Sequence, residues 1–177
     1  MIYIVCLCIA IGVLALDLIT KYIAVSQNFN VVIIPELLKF KLTYNTGASF
    51  SFLADKSWAI YMFIAITILV CLFILGFYLY HIIKKQKPSK WLAVTLAMVF
   101  SGALGNLIDR IALGKVRDFI FVFYNTDIFP AIFNVADIFL VVSVIMFCVY
   151  LLFLDKDALF KFKSKDKKVD ENREGNS

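Results

Sequence analysis

Two aspartates, Asp118 and Asp137, are the residues of this sequence best suited to acid–base catalysis. Asp137 lies in an apolar stretch with no basic residue before Lys156. Asp118 follows Arg117, which in an extended segment points to the opposite side of the strand. Two carboxylates in a partly apolar site cannot both ionise without a large cost, so one keeps its proton and an acid stands beside a base. Such a pair could activate a water for attack on an amide. A proton relay, or polar residues that pack between helices, are the open alternatives.

Asparagines occur at helical spacing from several charged residues. Asn106 stands three residues before Asp109 and four before Arg110, which puts the three on one helix face. Asn134 stands three residues before Asp137, so these two side chains project together. Amide groups placed in this way could hold a peptide backbone or orient a carboxylate.

Asp17 and Lys21 form a third group, an acid and a base four residues apart. An ion pair at a helix end is the simpler interpretation, and it applies equally to the neighbours Asp109 and Arg110. A charge inside a membrane span is expensive, however, and normally faces a cavity or a partner. Four acids fall at or near the same ends of the apolar segments, so we expect them to converge on one membrane face: Asp17, Asp109, Asp118 and Asp137.

Other catalytic groups are less well placed. A Ser-Lys dyad could use Ser49 or Ser51 with Lys21, but the segment TGASF lacks the spacing of a nucleophile elbow. His81, the sole histidine, stands at the far end of the second apolar segment from the acids. The four cysteines lie inside apolar segments without metal-site spacing. We therefore expect no metal and no cofactor.

The elements that must position these residues are membrane helices. The chain is 62% hydrophobic, against about 45–50% in soluble domains. A spanning helix needs roughly 20 mostly apolar residues. Uncharged runs of suitable length predict four helices, at about 2–20, 57–83, 91–108 and 131–154. Loops are then expected at 21–56, 84–90 and 109–130, within one four-span catalytic domain at 1–154.

Basic residues indicate the orientation of this domain. The segment 84–90 (KKQKPSK) holds four lysines, and the tail at 155–177 holds seven basic residues with six acids. By the positive-inside rule both face the cytoplasm, which puts both termini inside and the first and third loops outside. The mixed-charge tail is expected to be disordered against membrane lipid. Basic residues at membrane flanks do not indicate a nucleic-acid partner.

The first loop is expected to carry β-structure. Residues 30–44 (NVVIIPELLKFKLTY) are rich in β-branched and aromatic types, and their second half alternates apolar with polar. Pro35 restricts the segment to an edge or a turn. The predicted fold class is thus a mostly α membrane protein of four transmembrane helices, with a small extracytoplasmic β-structure in the first loop.

Five motifs in this order resemble one family. The chain closely resembles lipoprotein signal peptidase, the type II signal peptidase of bacteria, through DLITK (17–21), NTGASFSFL (45–53), GALGNLIDR (102–110), VRDFI (116–120) and FNVAD (133–137). The resemblance covers roughly residues 12–140. It departs at Ser49, where the family often has Ala, and at Ile138, where the family often has a Ser that could donate a hydrogen bond to the neighbouring Asp.

The resemblance implies an aspartyl endopeptidase of the bacterial cytoplasmic membrane. Its substrates would be prolipoproteins, cut just before a cysteine that already carries a diacylglyceryl group, at a site near the extracytoplasmic face. It assigns catalysis to Asp118 and Asp137. Substrate-binding or orienting roles would fall to Asn45, Asn106, Arg110 and Asn134, and supporting roles to Asp17, Lys21, Gly47, Gly105 and Asp109. A single chain would hold the complete site, so we expect a monomer.

Two interpretations from other classes compete with this one. A small proton-coupled transporter or channel subunit would use the acids as a relay, and predicts ionisable residues spread through the membrane thickness. A non-catalytic assembly factor would need no acid pair at all.

Overall fold

The structure, a computed structural model, describes residues 1–46, 58–124 and 131–154. A pair of strands follows the first helix and another pair follows the third helix. The elements in order are α1 (Ile2–Ser26), β1 (Asn30–Ile34), β2 (Leu38–Asn45), α2 (Ala59–Ile83), α3 (Lys90–Leu113), β3 (Val116–Val122), β4 (Ala131–Phe133) and α4 (Val135–Val149), which continues as a π-helical turn at Tyr150–Leu154.

The four helices are long and apolar enough to cross a membrane, which confirms the predicted spans. Their most apolar stretches have mean hydropathies of 2.8, 2.8, 1.8 and 2.7 in chain order. Large apolar side chains cover their outer faces; Leu69 is 65% exposed and Phe73 is 72% exposed. Such continuous apolar surface is stable in lipid and not in water.

Helix α3 is the centre of the bundle and packs against α1, α2 and α4. Small residues of α3, among them Gly102 and Gly105, let its neighbours approach closely. A Cβ on Gly102 would lie 2.9 Å from the carbonyl oxygen of Ala136. A Cβ on Gly105 would overlap the carboxylate of Asp17. These two glycines therefore set the spacing of α3 from α4 and from α1.

A four-stranded antiparallel sheet in the order β1-β2-β3-β4 sits at one end of the bundle. The hairpin predicted in the first loop is confirmed: Val31 pairs with Phe40, and Pro35 begins the turn between β1 and β2. The prediction confined the β-structure to the first loop, whereas β3 and β4 come from the third. Phe29 packs against the sheet, with its ring stacked on that of Phe40 and in a T-shaped contact with that of Phe119.

Two helices run further than predicted. Helix α1 continues to Ser26 instead of ending near residue 20, and α3 continues to Leu113 instead of 108. The prediction ended these helices just before Lys21 and Asp109, but both residues are buried and paired inside the bundle, so they do not end the apolar packing. Helix α3 ends instead at Gly114, whose positive φ of 67° suits glycine.

The predicted helix at 131–154 is wrong at its start. Residues Ala131–Phe133 form β4, in which Phe133 pairs with Ile120 of β3. Helix α4 begins only after Asn134, which caps it. Three apolar residues suit either a helix or a short strand, and the pairing with β3 decides between them.

The end of the bundle away from the sheet is closed by hydrogen bonds between elements. The hydroxyl of Tyr3 donates to the carbonyl oxygen of Gln86 at 3.0 Å. The indole Nε1 of Trp91 donates to the carbonyl oxygen of Met146 at 2.7 Å. The start of α1, the segment between α2 and α3, and the later part of α4 therefore share this end.

Candidate active site

Asp118 lies on β3 with 2% of its surface exposed. The side-chain amides of two asparagines donate to its carboxylate, Asn134 to Oδ1 at 2.7 Å and Asn45 to Oδ2 at 3.1 Å. Burial, reinforced by the negative charge of Asp137, raises the pKa of Asp118 from 3.8 to about 6 in spite of these donors. A carboxyl group with this pKa can gain or lose a proton near neutral pH.

Asp137 stands in the first turn of α4, where it forms a capping box with Asn134. Its backbone N–H donates to Oδ1 of Asn134 at 3.0 Å, and its Oδ2 accepts from the backbone N–H of Asn134 at 3.0 Å. Its Oδ1 accepts from the amide of Asn106 at 2.8 Å. Both oxygens of the carboxylate are thus held in fixed directions.

Asn106 and Asn134 connect the two aspartates. Nδ2 of Asn134 donates to Oδ1 of Asn106 at 3.0 Å as well as to Asp118. Because Oδ1 of Asn106 accepts from Asn134 and also from Lys21, its NH₂ group must point toward Asp137. The chain of amides therefore fixes the position of each carboxylate relative to the other.

A fully buried cluster of charges supports these two asparagines from the side of α1. Nζ of Lys21 lies 2.8 Å from Oδ2 of Asp17, 3.4 Å from Oδ2 of Asp109 and 2.9 Å from Oδ1 of Asn106. Oδ1 of Asp17 accepts from the backbone N–H of Ala136 at 2.9 Å, next to Asp137. All three charged residues have no exposed surface. The predicted pair of Asp17 and Lys21 is confirmed, but inside the bundle and not as a surface anchor.

Asp109 pairs with a residue that the sequence pattern did not single out. Oδ2 of Asp109 accepts from the backbone N–H of Arg117 at 2.9 Å, and its Oδ1 accepts from the guanidinium Nε at 3.1 Å. The same bonds raise the pKa of Arg117 above its usual value. Arg117 therefore joins the end of α3 to β3, and its side chain points away from Asp118 as predicted for neighbours on a strand. Gly114, between the two, was the sequence signal for the turn that brings them together.

A cavity of about 640 Å³ exposes both aspartates. The polar part of its wall also includes Asn45, Asn106 and Arg110. The guanidinium of Arg110 is held 5.3 Å from the centre of the Phe63 ring. The rest of the wall is apolar and consists of one residue of β3 with residues of β4 and the outer face of α4: Val116, Ala131, Ile132, Phe133, Ile138, Leu140, Val141 and Val142.

The predicted site residues thus fall into one assembly, with one exception. Those at the cavity wall are Asn45, Asn106, Arg110, Asp118 and Asp137; those behind it are Asp17, Lys21, Gly105, Asp109 and Asn134. Gly47 lies outside the described residues, as do Ser49 and Ser51 of the alternative dyad. His81 is remote, with its Nδ1 3.0 Å from the carbonyl oxygen of Phe77.

Comparison with known proteins identifies the family of this chain. The family model for signal peptidase (SPase) II matches residues 9–153. The chain belongs to the signal peptidase II family. A lipoprotein signal peptidase of Pseudomonas paraeruginosa is 43% identical over 143 residues, which are 78% of this chain and 82% of that protein. One from Pseudomonas fluorescens is 42% identical over 162 residues, 89% of this chain and 86% of that protein.

Solved structures of bacterial membrane enzymes resemble this chain. A bacterial membrane enzyme structure obtained by the in meso method at 2.3 Å resolution has a TM-score of 0.70 and 32% identity, covering 84% of this chain and 87% of that one. A second, at 1.9 Å, has a TM-score of 0.68 at the same identity. The signal peptidase II family is one of aspartic peptidases, and the chain is a multi-pass protein of the bacterial inner membrane. The transporter alternative receives no support from these relatives.

Proposed function

We propose that this chain is an intramembrane aspartyl endopeptidase that removes signal peptides from diacylglyceryl-modified prolipoproteins, cutting just before the lipidated cysteine. The observation that carries the proposal is the common cavity of Asp118 and Asp137, whose carboxylates are held by one chain of amides. Relatives that are 42–43% identical over most of the chain are lipoprotein signal peptidases, which supports the substrate class.

The two aspartates take different roles, as acid and as base, because their surroundings differ. In the reactive form of the pair Asp118, whose pKa is raised to about 6, carries a proton and donates it to the carbonyl oxygen of the scissile amide. Asp137 takes a proton from the attacking water, so that the water oxygen bonds to the carbonyl carbon. When the tetrahedral intermediate collapses, the C–N bond breaks, the proton held by Asp137 passes to the leaving amine, and a hydroxyl of the intermediate returns its proton to Asp118 as the carbonyl reforms.

Arg110 and Asn45 are placed to orient the substrate. Both line the cavity beside the aspartates, and the amide of Asn45 already contacts Asp118. A guanidinium offers five donors to the carbonyl oxygens of an extended peptide. Asn106 and Asn134 hold the carboxylates, while Asp17, Lys21 and Asp109 hold Asn106 and the start of α4.

The shape of the cavity suits a lipid-modified peptide. Its polar end contains the aspartates, and its apolar side runs along α4 to side chains that face the membrane, such as Val141, which is 61% exposed. A peptide bond at the polar end would place the adjoining diacyl chains along this side, in lipid. We infer that substrate enters laterally from the bilayer and that one chain suffices as a monomer.

The orientation of the chain is part of the proposal. The segment 84–90 carries four lysines at the end of the bundle opposite the sheet. With this end in the cytoplasm, both termini are inside, and the sheet and the aspartates lie near the extracytoplasmic face.

The proposal is tested with purified protein and two forms of one prolipoprotein. One form carries the diacylglyceryl group on its cysteine and the other does not. We expect cleavage of the lipidated form alone, and a product whose mass places the lipidated cysteine at its new N-terminus. An intact lipidated precursor, or equal cleavage of both forms, would contradict the proposed activity or the proposed substrate class respectively.

A further inference from the structure

A second cavity, of about 270 Å³, lies between α1 and α2 in the half of the bundle away from the aspartates. Helices α1 and α2 each pack on α3, which forms the floor of this groove. Its walls are almost wholly apolar and include Leu7 and Ala10 on α1, Leu75 and Ile82 on α2, and Phe100 on α3.

The groove has few free polar groups that could bind water. The two hydroxyls at its wall are already used, since Tyr3 donates to the carbonyl oxygen of Gln86 and Tyr78 donates to that of Ala93. A water needs two or more polar partners to occupy a cavity. From Tyr3 to Ala10 the groove extends about 10 Å along α1, within the roughly 15 Å depth of one leaflet. An acyl chain of that leaflet fits it in both length and polarity.

The mouth of the groove is strongly basic. Ile82 leads directly into an exposed segment without acids, whose lysines are Lys84, Lys85, Lys87 and Lys90. The hydrogen bond from Tyr3 to Gln86 holds this segment against the start of α1. Positive charge at the membrane surface attracts anionic headgroups.

The backbone adds an independent observation at Lys85. Helix α2 ends in a Schellman motif. The backbone N–H of Gln86 donates to the carbonyl oxygen of His81 at 3.0 Å, and the backbone N–H of Lys85 donates to the carbonyl oxygen of Ile82 at 3.1 Å. This motif puts Lys85 at a φ of 53°, a left-handed conformation that favours glycine. The chain thus places a lysine at the groove mouth in a position where glycine would be less strained.

We propose that this groove binds one acyl chain of an anionic phospholipid, with the headgroup held by the lysines of segment 84–90. The same charges disfavour the other elongated apolar ligand at hand, a signal peptide, because the basic n-region of such a peptide would be repelled. The site is separate from the cavity of Asp118 and Asp137 and does not depend on the proposed peptidase activity.

Lipid binding to the full chain in detergent tests this proposal. Phosphatidylglycerol and phosphatidylcholine with identical acyl chains, each with a photoreactive group on the chain, are titrated and detected by native mass spectrometry. We expect phosphatidylglycerol to bind about tenfold more tightly, and its photoadducts to fall on residues 3–10 and 74–82. Equal binding of the two lipids, or adducts spread evenly over the four helices, would overturn the proposal.

Paired variants distinguish lipid bound in the groove from lipid on the rest of the apolar surface. Ala10→Phe should fill the groove and remove the adducts, whereas Ala65→Phe, on an exposed part of α2, should leave them unchanged. Replacement of all four lysines by Gln should bring the preference for phosphatidylglycerol to about one, and Lys41→Gln on β2 should not alter it. Lys85→Gly should lower the preference without lowering thermal stability. Adducts that persist in Ala10→Phe, or crosslinks showing a second copy of the chain in the groove, would contradict the assignment.

Discussion

Asp118 departs from the ordinary behaviour of a carboxyl group. A carboxyl group on a surface strand would ionise near pH 4, but burial and the charge of Asp137 raise the pKa of Asp118 to about 6. The folded chain therefore binds this proton more readily than the unfolded chain does. Between about pH 4 and pH 6 folding takes up a proton, so this residue costs stability above pH 6 and the cost disappears as the pH falls.

Asp118→Asn should therefore stabilise the protein at neutral pH. The asparagine cannot ionise, so it relieves a cost of about 1–3 kcal/mol at pH 7.5. Part of this gain is offset at every pH, because the new NH₂ group faces one of the two amide donors of Asn45 and Asn134. Near pH 4 the gain should vanish, because the aspartate is then protonated as well. Thermal unfolding in detergent across this pH range measures the difference. A gain in stability that is the same at all pH values would show that folding does not raise the pKa of Asp118.

Lys21 shows how completely a charge can be buried in this bundle. Its ammonium has two carboxylates and one amide oxygen as partners and no exposed surface. Removing one member of a buried ionic cluster leaves the others uncompensated, at a typical cost of about 3–5 kcal/mol.

Lys21→Met should accordingly destabilise the protein by about 3–5 kcal/mol. It should also reduce peptidase activity in the protein that remains folded, because Asn106 loses the partner that orients its amide toward Asp137. Lys115→Met is the matched control: this lysine lies over the ring of Tyr44 at 3.9 Å, and its loss should cost about 1 kcal/mol or less. Equal effects of the two variants on melting temperature would contradict the role given to Lys21.

At the scale of elements, hydropathy was sufficient to predict the four spans and local alternation was sufficient to predict the hairpin of β1 and β2. Ends of elements were less predictable, because they depend on contacts distant in sequence. Lys21 and Asp109 sit in helices because they pair with each other across the bundle, and β4 is a strand because β3 lies beside it. The spacing of Asn134 and Asp137 was interpreted as one face of a helix, whereas Asn134 caps the helix that contains Asp137. The pairing of Asp109 with Arg117 needed the turn at Gly114.

The packing of α3 against α1 makes a prediction at this scale. Gly105→Ala should destabilise the protein by about 1–3 kcal/mol, because the added methyl group overlaps the Asp17 carboxylate and the helices must move apart. Gly76→Ala on α2 is the matched control. Nothing lies within 4 Å of its added Cβ, so better helix propensity should stabilise it by about 0.5–1 kcal/mol. Opposite shifts in melting temperature are expected, and two shifts of the same sign would contradict this packing.

At the scale of the whole molecule, the two ends of the bundle differ in chemistry. One end carries the sheet, the aspartates and their amides, and the other carries the four lysines of segment 84–90. The predicted convergence of Asp17, Asp109, Asp118 and Asp137 corresponds to one connected cluster in the structure. No single segment of the sequence contains that cluster, which takes residues from α1, α3, β3 and α4.

The proposed orientation can be tested in intact cells. In a background without the four native cysteines, Lys41→Cys on β2 should react with a membrane-impermeant maleimide, and Lys87→Cys should react only after the membrane is opened. Both positions are exposed, so a difference in labelling reports sidedness and not burial. The reverse pattern would place the aspartates at the cytoplasmic face.

The claim that Asp118 and Asp137 act together in hydrolysis is tested most directly by the cleavage rate of a lipidated prolipoprotein. Asp118→Asn, Asp137→Asn and the double variant are compared with the unaltered chain, each shown to be folded by its thermal transition. If the two carboxylates work as a unit, either single change should remove nearly all activity, at least about 10³-fold, and the double variant should lose little more. Normal cleavage by either single variant, or losses that simply multiply in the double variant, would contradict the shared catalytic role.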